Sequence, residues 1–221
     1  YNFLDFLEQA GQRFWQFLPV CPTHSFFDNS PYMSCSAFAG SPLLISCELL
    51  VEQGYINQSR IDNLPELDAH RTRYDRVNSF KGALIKEAFS LSTPKKDKAF
   101  LKFRDNNDWL DDYALFMALK NKYSNRGWFD WPKEIATRAP EAMRAIRKEL
   151  QTEIDYFCFE QYLFFSQWKL MRKRAEQKGI RLIGDIPIYV GVDSVDVWSN
   201  RDIFQIDPAT NLPTHIAGVP P

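Results

Sequence analysis

The stretch Arg181-Leu-Ile-Gly-Asp-Ile-Pro-Ile-Tyr-Val190 decides how the rest of the chain is read. It follows a long helical pattern that stops at Gly179, and it holds one carboxylate, Asp185, inside a nearly continuous apolar run. Such a run is the pattern of a parallel strand covered on both faces. A carboxylate within it costs free energy unless it faces a cavity or has a dedicated partner. Asp185 is therefore the first candidate for function. The competing role is structural, a buried aspartate that fixes a neighbouring loop through an arginine or backbone amides.

Helix, glycine stop, apolar strand and a carboxylate near the strand's exit form the repeating unit of α/β barrel enzymes. Upstream, Phe3, Leu4, Phe6, Leu7 and Ala10 fall on one side of a helix over 2–10, with Asn2 as cap and Gly11 as stop. Residues 14–20 read as a strand ended by Cys21-Pro22, residues 22–42 as a long ordered loop, and 43–53 as a helix ending at Gly54. From 57 to 150 the pattern is helical, at about 74–91 and 107–122, with Asn107-Asp108 as the cap of the second. A long helix then runs from Pro140 to Lys178, bent near Thr152, and its block Tyr156–Phe165 is apolar almost all round, which implies burial. Asp193-Ser194 caps a short helix, and 204–213 reads as a hairpin with a Pro-Ala-Thr-Asn turn.

Only two or three of these segments suit a barrel strand, where a closed barrel needs eight. The expected fold class is α/β: a partial TIM (β/α)8 barrel with a large, mainly helical insertion. Residues 1–56 would hold the first barrel strands and a substrate loop, 57–150 the insertion, and 151–221 the barrel helix, the Asp185 strand and the loop after it. A chain of this kind is expected to be part of a larger protein and to expose apolar strand edges without the remainder of its own barrel.

Composition excludes several classes. With 45% apolar and 25% charged residues the chain is neither disordered nor a disulfide miniprotein. A net charge of -1 gives no pull toward nucleic acid or anionic membrane. The basic cluster Lys169–Arg174 suits a solvated helix end better than a phosphate site. Cys21, Cys35, Cys47 and Cys158 are scattered and read as reduced thiols of a cytoplasmic protein. His24, His70 and His215 lack metal-ligand spacing. No signal peptide or membrane-length apolar run is present. Trp109, Trp168 and Trp198 lie on apolar helix faces and are expected in the core; Trp128 and Trp131 flank a turn and fit either core or sugar platform.

Three stretches resemble the amylomaltase (4-α-glucanotransferase) family, glycoside hydrolase family 77 of the α-amylase-related barrels. They are Leu18-Pro-Val-Cys-Pro-Thr23 with Ser30-Pro-Tyr-Met-Ser-Cys-Ser-Ala-Phe-Ala-Gly-Ser-Pro42; Asp108–Lys120 with Trp128-Phe-Asp-Trp-Pro132; and Phe157–Phe164 through Gly184–Val190 and Asp193–Trp198 to Ala217-Gly-Val-Pro-Pro221. The resemblance implies the N-terminal half of the barrel. It implies that Asp185 hydrogen-bonds sugar in the donor subsite and that Ser30 and Tyr32 line the substrate groove. Many members have Asp-Ser-Pro-Tyr-Gln-Ser where this chain has Asn29-Ser-Pro-Tyr-Met-Ser34.

The family's nucleophilic aspartate, acid/base glutamate and second aspartate come later in its sequence, so no catalytic residue is placed on this chain. The chain alone is expected to be inactive. The whole family reaction is a retaining double displacement on α-1,4-glucans and maltodextrins, with glucose or maltose as acceptor, two carboxyl groups about 5–5.5 Å apart and no cofactor. Two other readings stay open: a non-catalytic glucan-binding or regulatory segment, and a helical interaction module built on 57–150.

From the residues themselves, Tyr32 in its Ser-Pro-Tyr turn can stack under the apolar face of a pyranose or simply pack. Ser30 can equally bond its own backbone, as turn serines do. Asp193 and Asp196 are expected to serve as helix cap and solvated face.

Overall fold

A computed structural model describes residues 1–24, 28–62, 70–215 and Gly218. Helix α1, Asn2–Gln9, turns Leu4 and Leu7 inward, while Phe3 and Phe6 stay exposed. Asn2 lies inside the helix and not at its cap, which is Tyr1. Gly11, at φ +67, ends it in the left-handed conformation that a residue with Cβ adopts only with strain. Asp5 ties α1 to the end of the long helix Gln151–Gln177 through Arg174 (3.0 Å) and Lys178 (2.9 Å).

Strand β1, Phe14–Gln16, pairs in parallel with β2, Arg181–Ile183, in the register Phe14↔Arg181, Trp15↔Leu182, Gln16↔Ile183. Both strands are shorter than their apolar runs. The expected burial of 181–190 on both faces is not found: Ile186, Ile188 and Tyr189 are 74%, 86% and 63% exposed, and Asp185 is exposed. Two causes act together. Pro187 has no N–H to give to a ladder, and among the described residues β2 has β1 as its only neighbour. What is buried here is a small cluster of Leu4, Leu7, Ala175 and Ile180, with Trp15, Met171 and Leu182 against it.

Between the strands lie helices α2 (Cys47–Glu52), α3 (Tyr74–Leu91), α4 (Lys98–Asp105), α5 (Leu110–Lys122), α6 (Lys133–Ala136), α7 (Pro140–Glu149) and α8 (Gln151–Gln177). Helix α4 was not foreseen. Asp97 starts it by accepting hydrogen bonds from the N–H groups of Ala99 (2.8 Å) and Phe100 (3.4 Å). Asn107 does not cap α5 with its side chain, which turns back to the Phe103 carbonyl (2.6 Å). The bend between α7 and α8 falls at Leu150 (φ -98, ψ 21), two residues before Thr152.

The main core forms where α5 packs along α8, with α3, α4 and α7 around them. Burial of the Tyr156–Phe165 block follows the sequence pattern, with Phe159 and Leu163 essentially inaccessible. Trp128, Trp131 and Trp198 are all core. Trp131 stands between Phe116 (5.4 Å) and Trp198 (5.6 Å), and the Arg138 guanidinium lies 4.4 Å over Trp198. After β2, helix α9 (Val195–Ser199) is capped by Ser194, whose Oγ accepts from Val197 N–H at 3.3 Å. The expected hairpin forms as a narrow one around the antiparallel bridge Ile206↔Pro213, with Asp207 N–H donating to the Leu212 carbonyl at 2.8 Å, Thr214 N–H to the Gln205 carbonyl at 2.9 Å, and Asn211 at φ +58 in the turn. Most of the Ala217–Pro221 motif lies outside the described residues. Among the described residues no helix is long and apolar enough to cross a membrane.

Candidate functional site

The site is built where two loops meet. The first carries Ser30 and Tyr32. It is entered through Asp28 (φ +50) and Asn29 (φ +56), residue types that tolerate the left-handed region. Ser30 Oγ accepts from Tyr32 N–H at 3.3 Å, so the serine shapes its own turn. Farther along, Ser34 Oγ donates to the Pro22 carbonyl at 2.7 Å, and Gly40 lies against α8. A Cβ on Gly40 would stand 2.0 Å from the Phe164 ring, so only glycine permits that approach.

The second loop leaves β2 and carries Asp185. Tyr32 Oη donates to Asp185 Oδ2 at 2.8 Å, and Asp185 Oδ1 accepts from Ile186 N–H at 2.8 Å. Two residues 153 positions apart are thus in direct contact, at an exposed surface where Tyr32 keeps 41% of its area open. The carboxylate hydrogen bond pushes the Tyr32 phenol above its ordinary range. Each carboxylate oxygen has a lone-pair direction left over, so the acid can still accept from a hydroxyl group, and the tyrosine ring offers an apolar face beside it. Ser30 is engaged within its turn, while Tyr32 and Asp185 come together.

Two acids that the sequence suggested for capping and solvation do other work. Asp193 Oδ2 meets Lys120 Nζ at 2.6 Å, and its Oδ1 accepts from Trp128 N–H at 3.2 Å. Lys120, buried, also donates to the carbonyls of Asn125 and Arg126, both at 2.8 Å. Asp196 Oδ2 accepts from Ala37 N–H at 2.9 Å; burial raises its pKa, and the amide partly offsets that. One signal was available: Lys120 directly follows the apolar run Ala114–Leu119, where a lysine drawn into the core needs a partner.

A cavity of about 410 Å³ borders the first loop through Thr23, His24 and Cys35. Its far wall includes Glu160, whose carboxyl group burial raises to about 7. Burial also lowers the His24 pKa. Among the described residues no three His, Cys, Asp or Glu side chains gather as metal ligands, and the four cysteines are free.

The sequence profile of the 4-alpha-glucanotransferase family matches residues 1–221. The chain belongs to the 4-alpha-glucanotransferase family. It is 42% identical to the 4-alpha-glucanotransferase of Synechocystis, over all of this chain and 44% of that protein. Against the Thermus thermophilus 4-alpha-glucanotransferase the identity is 41%, again over all of this chain and 44% of the relative. An amylomaltase from Streptococcus agalactiae, solved in complex with acarbose, superposes with a TM-score of 0.88 at 35% identity, covering 94% of this chain and 42% of that one. The amylomaltase of Corynebacterium glutamicum, at 18% identity and a TM-score of 0.67, shares the fold. The chain thus spans less than half the length of the 4-alpha-glucanotransferases it matches.

Proposed function

We propose that this chain forms the part of a 4-α-glucanotransferase that holds sugar in the substrate groove, within a protein that passes α-1,4-glucan segments between maltodextrins. The observation that carries the reading is the 2.8 Å bond from Tyr32 Oη to Asp185 Oδ2 at an exposed surface. It pairs an aromatic face for the apolar side of a pyranose with a carboxylate for its hydroxyls. Acarbose in the Streptococcus agalactiae relative supports a glucan-like ligand. Ser30 contributes by setting the turn on which Tyr32 sits.

In this reading the β1–β2 pair belongs to a (β/α)8 barrel, and residues 57–150 are an insertion between its early strands. The chemistry is a retaining transfer in which a glucan hydroxyl, in place of water, accepts the enzyme-bound segment. Asp185 would strengthen its hold on the sugar as the ring distorts, without forming a covalent bond. The nucleophile and the acid/base come from elsewhere in the protein, so this chain alone has no transferase activity. Four free cysteines agree with a cytoplasmic setting.

The test is to incubate the full-length protein containing this chain with maltotriose and resolve the products by chain length. A transferase makes both glucose and longer dextrins. Binding without redistribution would replace this reading with that of a glucan-binding segment.

A further inference from the structure

We propose that Asp196 is a positioning residue that holds the Tyr32 loop against Asp185. Residues 35–37 and 193–196 are joined by two hydrogen bonds. Val195 N–H donates to the Cys35 carbonyl at 2.9 Å, and Ala37 N–H donates to Asp196 Oδ2 at 2.9 Å. The second depends wholly on the side chain at 196.

These bonds close a ring of structure. Tyr32 lies three residues before Cys35, and Asp185 lies ten before Val195. One end of the ring is the Tyr32–Asp185 contact; the other is this clamp. The clamp is itself fixed. Ser194 caps α9, Trp198 is fully buried and donates from Nε1 to the Ile135 carbonyl at 3.1 Å, and Asp193 is bonded to Lys120. Helix α9 is therefore a rigid post, and Asp196 is the side chain that reaches from it to the sugar-side loop.

The loop needs this support. Between Ser34, bonded to Pro22, and Gly40, bonded to Gln161, Ala37 N–H has Asp196 as its partner. Without that acceptor the amide must find water, and the backbone between Cys35 and Phe38 keeps only the Val195 N–H to Cys35 carbonyl bond as its hydrogen-bonded tie to α9. Asp196 touches neither Tyr32 nor Asp185, so its effect on them passes through the backbone.

The functional meaning rests on Tyr32 and Asp185 as groove residues, but the positioning can be read without any sugar. The tyrosine-32 phenol is titrated in the protein by its ultraviolet difference spectrum, with Tyr32→Phe as the reference that isolates its signal. Asp185→Ala sets the value of an unpaired Tyr32 phenol. Asp196→Ala is expected to move the Tyr32 titration down toward that unpaired value, the remaining Val195 N–H to Cys35 carbonyl bond holding the loop in part. Asp196→Asn, whose carbonyl still accepts from Ala37 N–H, is expected to restore the upward displacement. If Asp196→Ala does not fold, Asp196→Ser, too short to reach Ala37, takes its place.

A Tyr32 titration unchanged by Asp196→Ala or Asp196→Ser overturns the proposal, as does failure of Asp196→Asn to restore it. In the full-length protein, the alanine variant should raise KM for maltotriose several-fold more than it lowers kcat. If the full-length protein binds no glucan while the phenol shift still follows residue 196, the groove reading falls and the positioning stands.

Discussion

Gln161 and Gly40 exchange two hydrogen bonds across 121 residues: Gln161 Nε2 donates to the Gly40 carbonyl at 2.9 Å, and Gly40 N–H donates to Gln161 Oε1 at 2.8 Å. The side-chain amide thereby pairs with a loop backbone as a neighbouring strand would. Gln167 repeats the arrangement with Ser46, accepting from its N–H at 2.7 Å and donating to its carbonyl at 3.2 Å. Two glutamines of α8 thus supply partners for the backbone groups of Gly40 and Ser46, since an unpaired buried amide is costly.

Gln161→Leu keeps the apolar volume and removes both bonds. It should destabilise the chain by about 1–3 kcal/mol for each Gly40 group left without a partner, read as a lower urea midpoint at unchanged slope. Gln167→Leu should cost less, because Ser46 is only partly buried and water can replace the lost bonds.

The Lys120–Asp193 pair is buried enough that losing one partner matters more than losing both. Lys120 is 6% exposed and holds three acceptors. Asp193→Ala should cost about 3–5 kcal/mol by stranding the ammonium group. Lys120→Met should do the same to the carboxylate. The double variant Lys120→Met/Asp193→Leu should be less unstable than the sum of the singles, as a double-mutant cycle in thermal unfolding would show.

Glu160 gives the chain a signed pH dependence. It faces Tyr156 on its own helix, Lys86 from α3 and Tyr113 from α5, and burial raises its pKa from 4.5 to about 7. Between these values the folded state binds the proton and the unfolded state does not. The stability this group contributes is therefore complete below 4.5 and is lost as pH rises through about 7. Glu160→Gln removes the term and keeps an acceptor for Tyr156 Oη. The variant should gain on the wild type progressively across that window, by roughly 3 kcal/mol at its upper end. Denaturant melts of both proteins at several pH values check the slope; parallel curves would refute it.

Tyr32→Phe keeps the ring and deletes the bond to Asp185. If the proposed groove reading holds, the loss should weaken acarbose binding by the full-length protein by up to about 10-fold, because Asp185 is no longer held in place by the tyrosine. Tyr32→Ala, which also removes the stacking face, should weaken it further. Equal affinities of the two variants in isothermal titration would show that the ring is no sugar platform.

Helix-level features were legible because they are local. The glycines at 11, 54 and 179, all at positive φ, mark helix ends where they were expected, and α3 spans Tyr74–Leu91 as its periodicity indicated. Helix α4 could have been found from Asp97 with Phe100 and Phe103 behind it, a cap followed by apolar residues at helical spacing. Strand length was not legible. An apolar run states what a segment can bury, while ladder length depends on a partner, and Phe14–Gln16 supplies three residues of one. Asp193 and Asp196 were misread because a capping sequence and a tertiary anchor use the same residue types.

By itself the sequence determined the family and most of the longer helices, and it singled out Asp185 and Tyr32 as candidates, because motifs, glycine stops and apolar periodicity are written within short windows of chain. Only the tertiary structure decided that Tyr32 bonds Asp185, that Asp193 pairs with Lys120, that Asp196 holds Ala37 and that the run after β2 is exposed. The physical reason is separation. Each of these facts joins or exposes groups through segments tens of residues away, and packing, not local propensity, fixes which of them meet.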